Sequence, residues 1–268
     1  MHDTPLNQAA GLMGLAPHNG AQLVSMASHG DDKTELPLLW QLCTAMVELG
    51  YAVTVLDATK TESAANPGLS QLLDYRFGYG AAEPDAPEWT VVPAAQGLHS
   101  LCNLSPNLPA NRAHNLERIG DLFPSHGVVI LYAGVDCLVK MLTGTNASPL
   151  LTVAQDKSSL LTSYLALKRL LLKGALEPTI LNMMHKAQGS HPADSASVVG
   201  NLAECARNFL QYKVNAIPFD ASQTLSRVDA DMRRLAMRLL ENALPLSAAN
   251  QAYTLSGYHA NGATGRSH

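Results

Sequence analysis

Apolar positions along the chain switch between a period of two and a period near 3.6, in alternating order. Leu23 to Ala27 is short and strand-like and leads into a glycine-containing turn. From Thr34 to Leu49 the positions Leu36, Leu39, Cys43 and Met46 recur at helical spacing, while Gln41, Thr44 and Glu48 share another face. Pro37 falls in the first turn of that predicted helix, where missing amide donors are tolerated, and Gly50 ends it. Ala52 to Leu56 is β-branched, ends at Asp57 and reads as a buried parallel strand, so strand, helix and strand form a βαβ unit. Prolines 84, 87, 93, 106 and 109 break residues 80–110 into loops and short pieces around a strand at Trp89–Val92. Further strands are expected at Val128–Leu131, Pro149–Ala154, Pro178–Met183 and Val214–Ile217. A helix spans Ser158–Leu172, and Val198, Leu202, Cys205, Phe209 and Tyr212 form one face of another. The last helix, Asp229–Leu244, turns Met232, Leu235, Leu239 and Ala243 inward. Strands alternating with helices predict an α/β fold: a mostly parallel, doubly wound sheet of about seven strands in a single domain. That domain is placed at residues 21–245, after an N-terminal segment at 1–20 and before a disordered tail at 246–268.

Composition narrows the function classes. Of 268 residues, 47% are hydrophobic and 15% charged, which excludes a disordered chain, a coiled coil and a collagen-like repeat. A formal charge of −4, with no long basic run, argues against nucleic-acid binding. No apolar stretch approaches bilayer-spanning length, and the first residues carry no secretion signal, so a cytoplasmic protein is expected. Cys43, Cys102, Cys137 and Cys205 lie far apart in sequence without metal-ligand spacing and read as buried free thiols. The ten histidines show no metal-binding pairing, so no metal site is assigned. His29, in the first turn, is expected to face solvent. Ser195 and Ser197 sit in no nucleophile elbow, and no catalytic residue is assigned. Arg227, Arg233, Arg234 and Arg238 give the last helix a basic flank that reads as a solvated face rather than a membrane surface.

In an open α/β sheet the ligand crevice lies at the carboxyl ends of the strands, here the turn Ser28-His29-Gly30-Asp31-Asp32-Lys33-Thr34. A phosphate loop needs glycines so that amides can close on phosphate oxygens, a lysine for the β/γ-phosphates and a hydroxyl for Mg²⁺. Gly30, Lys33 and Thr34 meet part of this. Asp31 and Asp32 place negative charge where phosphate would sit, and they read equally well as acids capping a helix N-terminus.

Several segments together resemble the MinD/ParA-type deviant P-loop ATPases, and among them the flagellar placement and number regulators FlhG/FleN. The resemblance runs from about Asn7 to Leu244. Ser28 to Thr34 is similar to that family's KGGxGKT loop, and Val53 to Thr59 to its strand ending in an Asp-x-Asp switch, with Asp57 as the first aspartate. Thr152 to Tyr164 resembles the TTPEPTSITDAY segment, Ile180 to Met184 the LVNMV strand, and Ala216 to Asp220 the GxIPxD turn. Asn7 to Leu15 is similar to the flagellar members' DQAxxLRxL helix. The family's base-contacting positions map onto Asn182, Pro218 and Asp220.

The departures fall on the chemistry. Ser28 replaces the signature lysine that reaches a dimer partner's nucleotide, Asp32 the loop glycine and Thr59 the second switch aspartate. The metal-supporting aspartate of the fourth strand falls at Leu131 or Tyr132. Phosphoryl transfer rests on charge placement, so the resemblance implies a pseudo-ATPase that binds ATP or ADP with magnesium weakly if at all. It further implies a regulator or scaffold in flagellar placement, monomeric or a nucleotide-independent dimer, recruited to a cell pole. A divergent but working ATPase, or an accessory of polysaccharide, cellulose or pilus export, is the alternative. The N-terminal segment, through Gln8, Ala9, Leu12 and Leu15, is expected to dock on a protein partner such as an FlhF-like GTPase or a flagellar or secretion component. The tail after Ser247 lacks the amphipathic anchor of MinD-like proteins, so membrane attachment is not expected.

Overall fold

The computed structural model describes residues 20–75, 89–104, 109–123, 127–154, 157–184, 192–220 and 230–246. Within them the chain runs β1 (Gln22–Ser28), α1 (Asp32–Glu48), β2 (Ala52–Asp57), α2 (Leu69–Tyr75), β3 (Trp89–Pro93), α3 (Ala95–Leu104), α4 (Pro109–Gly120) and β4 (Gly127–Gly134). It continues as α5 (Val135–Leu142), β5 (Leu150–Val153), α6 (Lys157–Gly174), β6 (Thr179–Met184), α7 (Pro192–Leu210), β7 (Ala216–Asp220), α8 (Ala230–Glu241) and β8 (Leu244–Pro245).

The predicted α/β architecture is the observed one. Strands pair in the order β3-β2-β4-β1-β5-β6-β7, all parallel, and the two-residue β8 adds antiparallel to β1. Strand β1 is paired along its whole length with β4, from Gln22↔Val128 to Ser28↔Gly134. Its other side meets β5 at Met26↔Leu150 and β8 at Gln22↔Pro245 and Leu23↔Leu244. Alternation along each strand divides the core between the two faces of the sheet. Val24, Met26, Ile130 and Tyr132 pack under α1 and α8. Leu23, Ala27, Leu131 and Ala133 pack under the helices of the opposite face. Across the first of these faces Arg233 of α8 donates to Glu48 of α1 at 2.7 Å.

Five local readings change. Helix α1 starts at Asp32, so Pro37 is an interior residue in the second turn, and Leu36 is 45% exposed while Leu38 and Leu42 take the buried positions. Residues 95–104 and 109–120 are helices rather than loops, with Pro109 at the first helical position. The buried Glu62 holds the start of α3, accepting the amides of Gln96 at 2.7 Å and Gly97 at 2.8 Å. On α7, Ala206 faces the core and Phe209 is 74% exposed. Strand β7 begins at Ala216 and includes Pro218, tolerated because β7 is an edge strand. The last helix ends at Glu241, and the chain turns back so that the Leu246 amide donates to Ala21 O at 2.9 Å. Leu246 is buried against Gly120, where an added Cβ would come within 2.5 Å of the Leu246 carbonyl oxygen. Residues 247–268 lie outside the described residues.

Candidate functional site

The carboxyl end of β1 opens into the three-residue loop His29-Gly30-Asp31 before α1 begins. Gly30 has φ +94, a left-handed conformation that suits glycine, and it lets the chain reverse over the strand end. The Asp31 carbonyl accepts the amides of Thr34 at 3.0 Å and Glu35 at 2.8 Å, which starts the helix. The Asp31 side chain makes no capping bond, and its Oδ2 is buried without a hydrogen-bond partner.

The capping task falls to Glu35, one turn into α1 and fully buried. Its Oε1 accepts the backbone amides of His29 at 3.0 Å and Asp31 at 3.2 Å. Its Oε2 accepts the Tyr132 hydroxyl at 2.6 Å. The helix thus returns a carboxylate into the loop that precedes it, where the amides and the helix dipole favour negative charge. Burial, then the bond to Glu35, pushes the Tyr132 phenol above its ordinary range, opposed by the Ser28 hydroxyl.

His29 does not face solvent as expected. Its side chain is 3% exposed. Nδ1 lies 3.2 Å from Thr162 Oγ1 on α6, and Nε2 lies 2.9 Å from the Thr152 carbonyl and 3.1 Å from Thr152 Oγ1 on β5. Nε2 is also 3.4 Å from Glu35 Oε1. The imidazole therefore ties the β1 loop to the neighbouring strand and to the helix after it.

The residues singled out from sequence reach the same edge of the sheet in separate groups. Gly30, Lys33 and Thr34 belong to the loop and first turn of α1, with Gly30 and Lys33 exposed and Thr34 half-buried. Asp57 ends β2, separated from β1 by β4. It is buried, and its Oδ1 accepts both the Thr59 amide at 2.9 Å and the Thr59 hydroxyl at 2.6 Å. Asn182 on β6 lies in register with Val153 on one side and Pro218 on the other, while Asp220 pairs with Met184. Leu131 and Tyr132 point to opposite faces: Leu131 lies in the apolar core beneath α3 to α6, and Tyr132 faces α1 and the loop. Among the described residues no group of three His, Cys, Asp or Glu side chains could hold a metal ion, and no helix is long and apolar enough to cross a membrane. Gln8, Ala9, Leu12 and Leu15, and also Arg227, Ser195 and Ser197, lie where no side chain is described.

Glu35, Tyr132, Thr152 and Thr162 were not predicted. An acid in the first turn reads as an exposed dipole partner, and the one available signal was its spacing from Asp31, close to that of a capping box.

No family model matches the sequence, and no curated protein matches it. Solved structures do. McdA from Cyanothece in complex with ATP has a TM-score of 0.50 at 12% identity, over 82% of this chain and 88% of that one. Cobyrinic acid a,c-diamide synthase from Mycobacterium smegmatis, with bound ADP and magnesium, has a TM-score of 0.52 at 14% identity, over 82% and 94%. MinD from Aquifex aeolicus has a TM-score of 0.47 at 14% identity, over 85% and 100%. At these identities the likeness is one of fold. The chain shares a single-domain α/β fold with a parallel sheet with the McdA and cobyrinic acid a,c-diamide synthase structures.

Proposed function

We propose that this chain is a MinD/ParA-type regulator or scaffold that does not hydrolyse ATP and acts by binding other proteins in flagellar placement or assembly. One observation carries the nucleotide half of this reading: the Glu35 carboxylate already accepts the loop amides of His29 and Asp31. A phosphate bound at those amides would have to displace a carboxylate that also holds the Tyr132 hydroxyl. It would then sit beside Asp31 and Asp32, and two like charges about 4 Å apart repel by about 4 kcal/mol at an effective dielectric near 20. The residues present do not fit a nucleotide triphosphate.

Other positions support the same reading. Lys33 is exposed rather than drawn over the loop. Neither Leu131 nor Tyr132 offers a carboxylate for a metal's water shell, and Thr59 is bonded to Asp57. Asn182, Pro218 and Asp220 remain close together, but a surface that frames only a base leaves affinity low. Without a lysine at Ser28 no contact reaches a partner's nucleotide, which favours a monomer or a nucleotide-independent dimer in the cytoplasm.

The flagellar assignment draws on the resemblance of Asn7–Leu15 and of Ala216–Asp220 to FlhG/FleN. The segment bearing Gln8, Ala9, Leu12 and Leu15 then docks by apolar anchors on a protein such as an FlhF-like GTPase at the cell pole. Deleting the gene in its native host and counting flagella by electron microscopy tests the pathway. Altered number or position of flagella is expected. Normal flagella with lost polysaccharide or pili would move the protein to an export system instead.

A further inference from the structure

Helix α6 turns Leu161, Leu165, Lys168 and Leu172 outward, at intervals of four, three and four residues. The three leucines are 61%, 44% and 64% exposed. This alternation is that of a coiled-coil seam, an apolar side kept for another helix. The sheet does not need it, because the inward side of α6 is supplied by the buried Ser163, Ala166, Leu167 and Leu170.

Helix α7 packs beside α6, and the fold fixes their relative level. Strand β6 pairs with β7 from Ile180↔Ala216 to Met184↔Asp220, an offset of 36 residues. The helix ends repeat that offset. The Leu176 amide donates to the Leu170 carbonyl and the Tyr212 amide to the Ala206 carbonyl, around residues of positive φ, Ala175 and Gln211. Lys168 on α6 therefore lies level with Glu204 on α7, and both are exposed. Opposite charges stand side by side across the outer face of the two helices.

We propose that this face is where a second copy of the chain docks, α6 against α6, antiparallel about a two-fold axis. Placing Leu161 against Leu172 of the second copy sets Leu165 against Lys168 of the second copy, and symmetry supplies the reverse contacts. The lysine stem lies along the leucine while its ammonium reaches outward toward the row that carries Glu204. A single lysine in a leucine seam costs affinity and fixes register. The other cations on α6 are countered within the chain, since Asp136 of α5 pairs with Arg169 at 3.4 Å and Lys173 at 3.9 Å. Helices of 18 and 19 residues present a face about 27 Å by 20 Å, roughly 540 Å² of footprint per copy. Two copies together pass the roughly 1,000 Å² that a specific interface clears. The loop after β1 takes no part. The proposal deepens the reading of a nucleotide-independent dimer and rests on it.

Sedimentation equilibrium of the full chain at micromolar concentration, with and without Mg-ATP, tests this, and a dimer is expected in both. Leu165→Glu should raise the dimer dissociation constant about a hundredfold or more and leave the melting temperature of the fold unchanged. Leu161→Lys and Leu172→Glu should each be monomeric alone and form a heterodimer when mixed, because antiparallel pairing sets the new lysine against the new acid. A monomer under both conditions, a dimer indifferent to these substitutions, or variants that stay monomeric when mixed overturns the docking proposal alone. A dimer that forms only with Mg-ATP overturns it together with the reading of a chain that binds no nucleotide. A monomer whose Leu165→Glu variant melts several degrees lower overturns it by placing one of the chain's own terminal segments on the seam.

Discussion

Replacing Glu35 with alanine removes the acceptor for two backbone amides and the Tyr132 hydroxyl, at 3.0, 3.2 and 2.6 Å, in a fully buried place. Each of the three buried donors left without a partner costs about 1–3 kcal/mol, so Glu35→Ala should lose about 3–9 kcal/mol. Against a total stability of roughly 5–15 kcal/mol that is a large fraction. For a chain of this size it corresponds to a fall of about 6 °C or more in melting temperature. Glu35→Gln keeps the shape and one acceptor oxygen for the amides, and its amide group can donate to the Tyr132 oxygen. It loses the charge assistance alone, about 1–2 kcal/mol. Urea unfolding followed by circular dichroism, with unchanged m-values, measures both. An alanine variant within about 0.5 kcal/mol of wild type would refute the capping role. So would a glutamine variant as costly as alanine, since the loss would not then follow the acceptor geometry.

Tyr132→Phe should cost about 1–3 kcal/mol by the same titration, since Glu35 Oε2 loses its donor. Leu131→Asp should cost more than about 4 kcal/mol, because it puts a charge into the apolar core of the opposite face, so a metal-supporting carboxylate cannot be restored there. Burial raises the Cys43 thiol from 9.0 to about 12, so its neutral form stabilises the fold below pH 9 and that contribution is lost as pH climbs from 9 toward 12. Cys43→Ala should flatten that alkaline loss in a pH series of melting temperatures; an unchanged slope would assign it to other groups. Deleting Met1 to Leu15 should abolish capture of an FlhF-like partner without changing the melting temperature, and a drop of many degrees would instead make the segment part of the core.

The sheet was readable because each buried parallel strand is a dense apolar run and the βαβ spacing admits few topologies. Helices α3 and α4 were not, because prolines at 84–109 conceal a period carried by Leu98, Leu101, Leu116 and Ile119. Gly97 helped to hide α3, yet it is required where an added Cβ would come within 2.8 Å of Leu69. The placement of Phe209 followed from spacing alone, which cannot tell that α7 turns the small Ala206 inward. Strand β8 spans two residues, too few for any period. In the site, the turn from Ser28 to Thr34 was legible as the connection between the first strand and the first helix. The filling of the loop was not, because it depends on a side chain folding back by one turn and on a tyrosine hydroxyl in an otherwise apolar strand. The choice between Leu131 and Tyr132 likewise needed the sheet's two faces to be told apart.

In the proposed function, the Glu35 carboxylate holds the loop amides of His29 and Asp31 in place of a phosphate. The melting temperature of the wild-type protein with and without millimolar Mg-ATP tests it, since a ligand held only by the folded state adds RT ln(1 + [L]/Kd) to stability. No shift is predicted, and the same null result is predicted for Mg-ADP. A rise of several degrees, abolished by Lys33→Ala, would contradict the account and make this chain a nucleotide-binding member of its fold.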